Sequence, residues 1–303
     1  MIPVLHVQGR SLAKAYENAL LELYFKGCKI ETQYDNKDDP SSIDATMNIT
    51  VEEPLTDPII HKAFPGGIED LREYVYELEG RKDEWVKNMN DPNDTRWEYT
   101  YHQRLADWGA WYENRSLDES PIEGRYKTGL PLQGSINQFD IVVNKLAESL
   151  FTRRAQMITW MPFIDNDVYD PPCLQSLWYR VSKEDSKLYL NCNVRFRSND
   201  AWGANFMNMF GIVMMNKDLI LTPLEEKTGK EIKMGRLNWQ ADSYHLYGKD
   251  QKEFRERFLN RLEDTDFKDR IYNFRDDMIQ EIWNEATDTV LKKIEDYESR
   301  TTS

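Results

Sequence analysis

Residues 174–198 read LQSLWYRVSKEDSKLYLNCNVRFRS, two strand-like runs, "LQSLWYRV" and "KLYLNCNVRFRS", in close succession. "AQMITWMPF" (155–163) has the same character a short way upstream. Three such runs so near one another predict antiparallel neighbours in one sheet. Working outward, "GRLNWQADSYHLYG" (235–248) reads as a further strand, and "ATMNITVEEP" (45–54) as an alternating strand stopped by Pro54. "ANFMNMFGIVMMNKDLI" (204–220) is apolar all round and belongs to a buried helix rather than a surface one.

Helical spacing surrounds this sheet. In 10–27, Leu12, Ala15, Tyr16, Ala19, Leu20 and Leu23 share a face that ends at Gly27. "GGIEDLREYVYELEG" (66–80) predicts a helix between glycines, and "SINQFDIVVNKLAESLF" (135–151) one that starts on a Ser cap. The last fifty residues read as helical, with Phe267, Ile271, Phe274, Met278, Ile282, Ala286, Val290 and Ile294 stepping by threes and fours. "YDNKDDPSSID" (34–44), "KNMNDPNDTRW" (87–97) and 115–133 are turn or loop segments. The expectation is one α+β domain over 1–303, its central mostly antiparallel or mixed sheet flanked by helices, with 250–303 a C-terminal helical extension.

The 303 residues are 40% hydrophobic and 30% charged, which suits a globular fold rather than general disorder. No apolar run approaches a membrane span, and "MIPVLHVQGRSLAKAY" lacks the make-up of a signal peptide. The net charge of −14 argues against a broad nucleic-acid or anionic-membrane surface. Cys28, Cys173 and Cys192 form an odd, widely spaced set without a disulfide pattern, which fits a reducing compartment such as the cytoplasm. No histidine pair has zinc-ligand spacing, so no metal is expected.

Five features carry possible chemistry. Cys173 follows Pro171 and Pro172, which bring the chain in extended; a lone Cys there is ordinarily a small buried hydrophobe, and otherwise a stiffly held nucleophile. Arg153 and Arg154 are adjacent, so a strand would point them to opposite faces; the ordinary reading is a solvated edge. In "VRFRSND" (194–200), Arg195 and Arg197 share a strand face, Ser198 offers a neutral donor and Asp200 ends the run, a set suited to phosphate or simply to a strand end. Asn205 and Asn208 are three apart in the buried-helix candidate, where an amide serves either a pyrimidine edge or an internal hydrogen bond. His245 and Tyr247 alternate onto one strand face, so an imidazole and a phenol can reach one cleft.

The order of these segments carries a resemblance that none carries alone. "TRRAQMITWMP", "DPPC", "FRSNDAWGANFMN" and "SYHLY" follow one another as in the thymidylate synthase superfamily, which includes the pyrimidine-nucleotide hydroxymethylases. Upstream, "LREYVYELEG" resembles that family's helix with a glutamate seven residues before a glycine, here Glu73. "WEYTYHQRLADW" is similar to its Tyr-to-Gln-Arg segment, in the archaeal type above all, and the likeness spans about residues 10 to 250.

The resemblance implies a thymidylate synthase-like fold, a sheet-to-sheet homodimer, and two substrates: a pyrimidine nucleoside monophosphate and 5,10-methylenetetrahydrofolate. Carried onto this chain, Cys173 would add to C6 of the pyrimidine and Glu73 would organise proton transfer. Arg197 would grip the phosphate and favour the thiolate, with Ser198 sharing the phosphate. Arg153 and Arg154 would reach the partner subunit's nucleotide. Asn208 would read the base, His245 and Tyr247 would hold the sugar hydroxyl, Asp200 would meet the pterin, and Tyr101 would line the cavity. Asn at position 208 matches uracil-using members, so dUMP to dTMP is the leading reaction.

Two departures widen the reading. Leu174 stands where many synthases have His after the cysteine, and the chain ends in the polar "YESRTTS" where synthases have a hydrophobic tail that excludes water. With water admitted, the product would be hydroxymethyl instead of methyl, on dUMP, dCMP or CMP. "RSND" also looks like the hydroxymethylase version of its motif. A nucleotide-binding homologue without turnover is the remaining alternative; a binding module has no need of the thiol.

Overall fold

The computed structural model describes residues 1–86, 96–108, 136–166 and 168–301. Of the loop read at 87–97, residues 87–95 lie outside the described residues, as do the loop at 115–133 and the Ser135 cap. In chain order the main elements are β1 (Val4–Gly9), α1 (Leu12–Lys26), β2 (Cys28–Ile30), β3 (Ser42–Val51), β4 (Ile60–His61), α2 (Ile68–Leu78) and α3 (Tyr101–Ala106). There follow α4 (Gln138–Glu148), β5 (Ala155–Ile158), β6 (Leu174–Glu184), β7 (Lys187–Asp200), α5 (Asn205–Asn216), β8 (Ile232–Leu246), β9 (Ile271–Tyr272) and α6 (Asp277–Thr301).

The architecture is α+β, with a mixed seven-stranded sheet in the order β1-β3-β8-β7-β6-β5, β2 pairing β3. β5, β6 and β7 are antiparallel neighbours, as their succession predicts. β8 lies parallel to β7 and antiparallel to β3, which in turn is parallel to β1. A parallel neighbour requires a crossover. Between β7 and β8 that crossover contains α5, whose residues are buried except for half-buried Met207. Phe206 of α5 stacks on Phe64 at 4.9 Å and meets Tyr16 of α1 at 5.0 Å. Each such ring taken from water stabilises by about 1.5–3 kcal/mol. One apolar cluster runs from Leu5 to Ile279.

The helix of 66–80 forms as read, and Asp70 closes its first turn by accepting the Gly67 N–H at 2.7 Å. α4 is capped by Asn137, whose side chain accepts the Asp140 N–H at 3.2 Å. β1 was not anticipated; it turns straight into α1, and a Cβ at Gly9 would lie 2.4 Å from the Ala15 nitrogen. The largest correction is the C-terminal stretch. Ile271 and Tyr272 pair with β4, and Asp57 accepts the N–H of Phe274 at 2.7 Å and of Arg275 at 3.2 Å, so the helix is broken until Asp277. Strand pairing of a β-branched residue and an aromatic outweighs the three-and-four spacing there. The apolar stripe is real further on: Ala286, Val290 and Ile294 are buried, while Met278 is exposed.

Candidate active site

Pro171 and Pro172 deliver Cys173 to the start of β6, beside a register shift between Leu174 and Ser176. Arg197 of the neighbouring strand fixes this approach. Its N–H donates to the Cys173 carbonyl at 2.9 Å, and its Nη2 and Nε donate to the Pro171 and Pro172 carbonyls at 2.6 and 3.1 Å. The phenol of Tyr101 accepts the Leu174 N–H at 3.4 Å. The thiol is therefore held from both flanks. Burial pushes it above the ordinary cysteine value; the Arg197 guanidinium opposes this and Asp170 adds to it.

Cys173 opens onto a cavity of about 590 Å³, within the range of small-molecule sites. Tyr101, Ser198, Asp200, Asn208, His245 and Tyr247 line it as well. Asp200 is set in place by the N–H groups of Trp202 and Gly203, at 3.0 and 2.9 Å; a Cβ at Gly203 would come within 2.5 Å of its Oδ2. Of the two candidate amides, Asn205 is spent inside the core, donating to Asn199 at 2.7 Å and accepting from Tyr244 at 2.9 Å. Asn208 faces the cavity. His245 and Tyr247 meet edge to face with ring centres 4.5 Å apart, and the imidazole Nε2 is buried without a hydrogen-bond partner.

α2 supplies residues that the sequence reading missed. Leu71, Val75 and Leu78 take the core face of this helix, which turns Tyr74 and Glu77 toward the cavity. Burial raises the Glu77 carboxyl to about 7, with Lys82 opposing and the Glu73 and Asp83 charges adding. Glu73, one turn earlier, is held by Lys82 and, at 3.4 Å, by Lys293 of α6. Those two cations outweigh its burial and keep it below the usual carboxylate range. Glu77 is legible in hindsight, one helical turn after Glu73; Tyr74, adjacent to Glu73, carries no such signal.

Four predicted residues lie outside the cavity's described lining. Glu73 is one, and Arg197 is another, occupied with the proline carbonyls. Arg153 and Arg154 are exposed at the turn before β5. Arg195, weighed beside Arg197, is exposed and forks onto Asp242, its Nε and Nη2 each reaching Oδ2, at 3.2 and 3.0 Å. Among the described lining residues Arg96 is the cation, against Glu77, Glu98, Asp170 and Asp200. No group of three or more His, Cys, Asp or Glu among the described residues is set to hold a metal, and no described helix is long and apolar enough to cross a membrane.

A held thiol sharing a cavity with a carboxyl group that titrates near neutrality is the equipment of an enzyme rather than of a binding module. The thymidylate synthase family model matches residues 65–301, and the chain belongs to that family. It is thus a folate-dependent one-carbon transferase of a family that uses methylenetetrahydrofolate and a nucleotide. Among archaeal relatives, a protein of Methanosarcina barkeri named "Putative thymidylate synthase" is 28% identical over 67% of this chain and 73% of its own. One of the same name from Methanocaldococcus jannaschii is 27% identical over 80% of this chain and 91% of its own. The fold is similar to that of thermostable thymidylate synthase A from Bacillus subtilis, with a TM-score of 0.54 over 82% of this chain and 83% of that one at 18% identity.

Proposed function

We propose that the chain transfers the one-carbon unit of 5,10-methylenetetrahydrofolate to C5 of dUMP, giving dTMP. The observation that carries this reading is the placing of the Cys173 thiol in one cavity with the Asn208 amide and the His245–Tyr247 pair. Addition of the Cys173 sulfur to C6 of the pyrimidine makes C5 nucleophilic, and the rigid approach to Cys173 suits a step in which small misplacement is costly in rate. The thiol rests protonated, so it must lose its proton as substrate binds. Asn208 reads the base, His245 and Tyr247 take the sugar hydroxyl, Ser198 meets the phosphate, and Asp200 faces the pterin. Glu77 stands closer to the chemistry than Glu73 and is assigned the proton transfer, with Glu73 and Lys82 setting its charge. Among the described residues of this lining a dianionic phosphate finds one cation, Arg96. That supports a homodimer in which Arg153 and Arg154 complete the partner's site, Arg197 contributing from within.

The expected test result is dTMP and dihydrofolate from dUMP and methylenetetrahydrofolate, by product mass and absorbance. Cys173→Ser should abolish tritium release from C5-labelled dUMP, by at least about a thousandfold. An unchanged release rate would refute the covalent reading. A hydroxymethyl product is the second reading, supported by one feature: no described residue of α6 lines the cavity, so that helix does not close it against water. Product mass separates the two by one oxygen.

A further inference from the structure

His245 of β8 lies in register with Asp44 of β3, next to a register shift between Ala45 and Met47. Two residues before His245, Ser243 stands on the same strand; its hydroxyl donates to Asp44 Oδ2 at 2.6 Å, and its oxygen lies 3.2 Å from His245 Nδ1. A serine hydroxyl has one proton, and here Asp44 receives it. The oxygen can then only accept from the imidazole, so Nδ1 carries the hydrogen and Nε2 is left with its lone pair. Nε2 is the buried atom without a partner, on a side chain that lines the cavity. Asp44 is itself 4% exposed, and its Oδ1 is likewise buried and unpartnered. A buried carboxylate that is half satisfied costs stability and is rarely kept for packing alone. The groups facing the ring are Asp44 from β3, Asp200 in register on β7, and Ser243 and Tyr247 on its own strand.

We propose that Asp44 and Ser243 are positioning residues that fix His245 as the Nδ1–H tautomer, so that Nε2 presents an acceptor to a hydroxyl group of the substrate. An imidazole acceptor beside the Tyr247 phenol, a donor, matches a group that both donates and accepts. A sugar hydroxyl does so; an ether oxygen or a carbonyl does not. The sugar assignment rests on the nucleotide reading above. The tautomer assignment does not.

Calorimetry with dUMP and with 2′,3′-dideoxyuridine 5′-monophosphate tests the proposal on wild type, Asp44→Asn, Ser243→Ala and Ser243→Thr. Wild type should prefer dUMP by roughly tenfold, the worth of one well-made hydrogen bond. The preference should fall below about threefold in Asp44→Asn and Ser243→Ala and persist in Ser243→Thr, which keeps the hydroxyl. In parallel, 15N spectra of the imidazole nitrogens should show Nε2 unprotonated in wild type and a tautomer mixture in Ser243→Ala; there are only four histidines to assign. Wild-type Nε2–H, or variants that keep both the preference and the ring shifts, would overturn the relay. If wild type binds neither nucleotide, the nucleotide reading fails, and the ring spectrum alone decides the relay: Nδ1–H supports it and Nε2–H overturns it.

Discussion

Tyr74 is half-buried at the cavity wall, and burial pushes its phenol well above the ordinary range, so it remains a donor at any working pH. Its proton goes to Asn208 Oδ1, at 2.5 Å. With the carbonyl oxygen so engaged, the amide NH₂ is the end that Asn208 turns to the cavity. An NH₂ donor suits the O4 of uracil and opposes the exocyclic amine of cytosine. Tyr74→Phe releases the amide to turn over. The expected outcome is a fall of about tenfold in the ratio of kcat/KM for dUMP to that for dCMP, the size of one hydrogen bond. A ratio that stays put removes Tyr74 from base selection. An amide in an apolar helix made Asn205 and Asn208 both legible as candidates, and the resemblance chose Asn208 between them. Tyr74 was not legible, since an aromatic on a helix reads as core. Glu73 and Glu77 show the same limit: which of two carboxylates one turn apart faces the cavity depends on how Leu71, Val75 and Leu78 seat the helix.

Elements were legible where periodicity and pairing agreed, as for α1, α2 and β6 through β8. They were not where a short strand depended on a distant partner. β9 exists because β4 is there to pair with it, and neither segment announces the other. What ties this small sheet to α1 is a buried ionic cluster. Glu17, 2% exposed, accepts from His61 of β4 at 3.2 Å, from Arg270 beside β9 at 3.0 Å and from Lys14 at 3.0 Å. Burial raises the Glu17 carboxyl, but these three bonds prevail and hold it at about 2, against 4.5 when unperturbed. A carboxylate with a depressed folded value stabilises the fold fully above its unfolded value, and the contribution is lost as pH falls from about 4.5 toward 2. His61 acts in the same sense. Burial holds it below 6.5, so the unfolded chain takes up its proton first as pH falls. Glu17→Gln should therefore lower stability at pH 7 by about 3–5 kcal/mol, the cost of stranding buried partners. It should also flatten the loss of stability between pH 5 and pH 3, by about 2 kcal/mol, the share of the Glu17 contribution that titrates in that window. Urea melts at pH 7, 5 and 3 check both; a variant that tracks wild type at every pH would show that the cluster contributes nothing.

On the scale of the whole molecule, one face of the sheet carries the helices and the other is left half-exposed. Along β7 and β8, Val194, Phe196, Leu237, Trp239 and Ala241 are buried, and between them Asn193, Arg195, Asn238, Gln240 and Asp242 alternate to the opposite face. Trp178 of β6 joins them, partly exposed and donating to the Arg153 carbonyl at 3.0 Å. A half-exposed sheet face bearing a tryptophan and a forked Arg195–Asp242 pair is suited to a second copy of itself, since a two-fold axis sets each patch against its equal. Single-chain sequence reading reaches this face only through strand alternation; what it meets is not written in one chain. The proposed dimer makes a linked prediction, because Arg153 and Arg154 sit at the edge of this face and not in their own cavity. Arg195→Glu places a carboxylate against Asp242 in both copies, and dimer and activity should fall together, by at least about tenfold in dimer affinity. Small-angle scattering at micromolar protein follows the first and tritium release the second. Arg153→Ala/Arg154→Ala should be inactive yet dimeric, and activity should return when it is unfolded and refolded together with inactive Cys173→Ser, because a mixed dimer contains one site with both the thiol and the arginines. A fully active monomer, or no recovery on mixing two folded and individually inactive variants, would show that each cavity works with its own chain's residues alone.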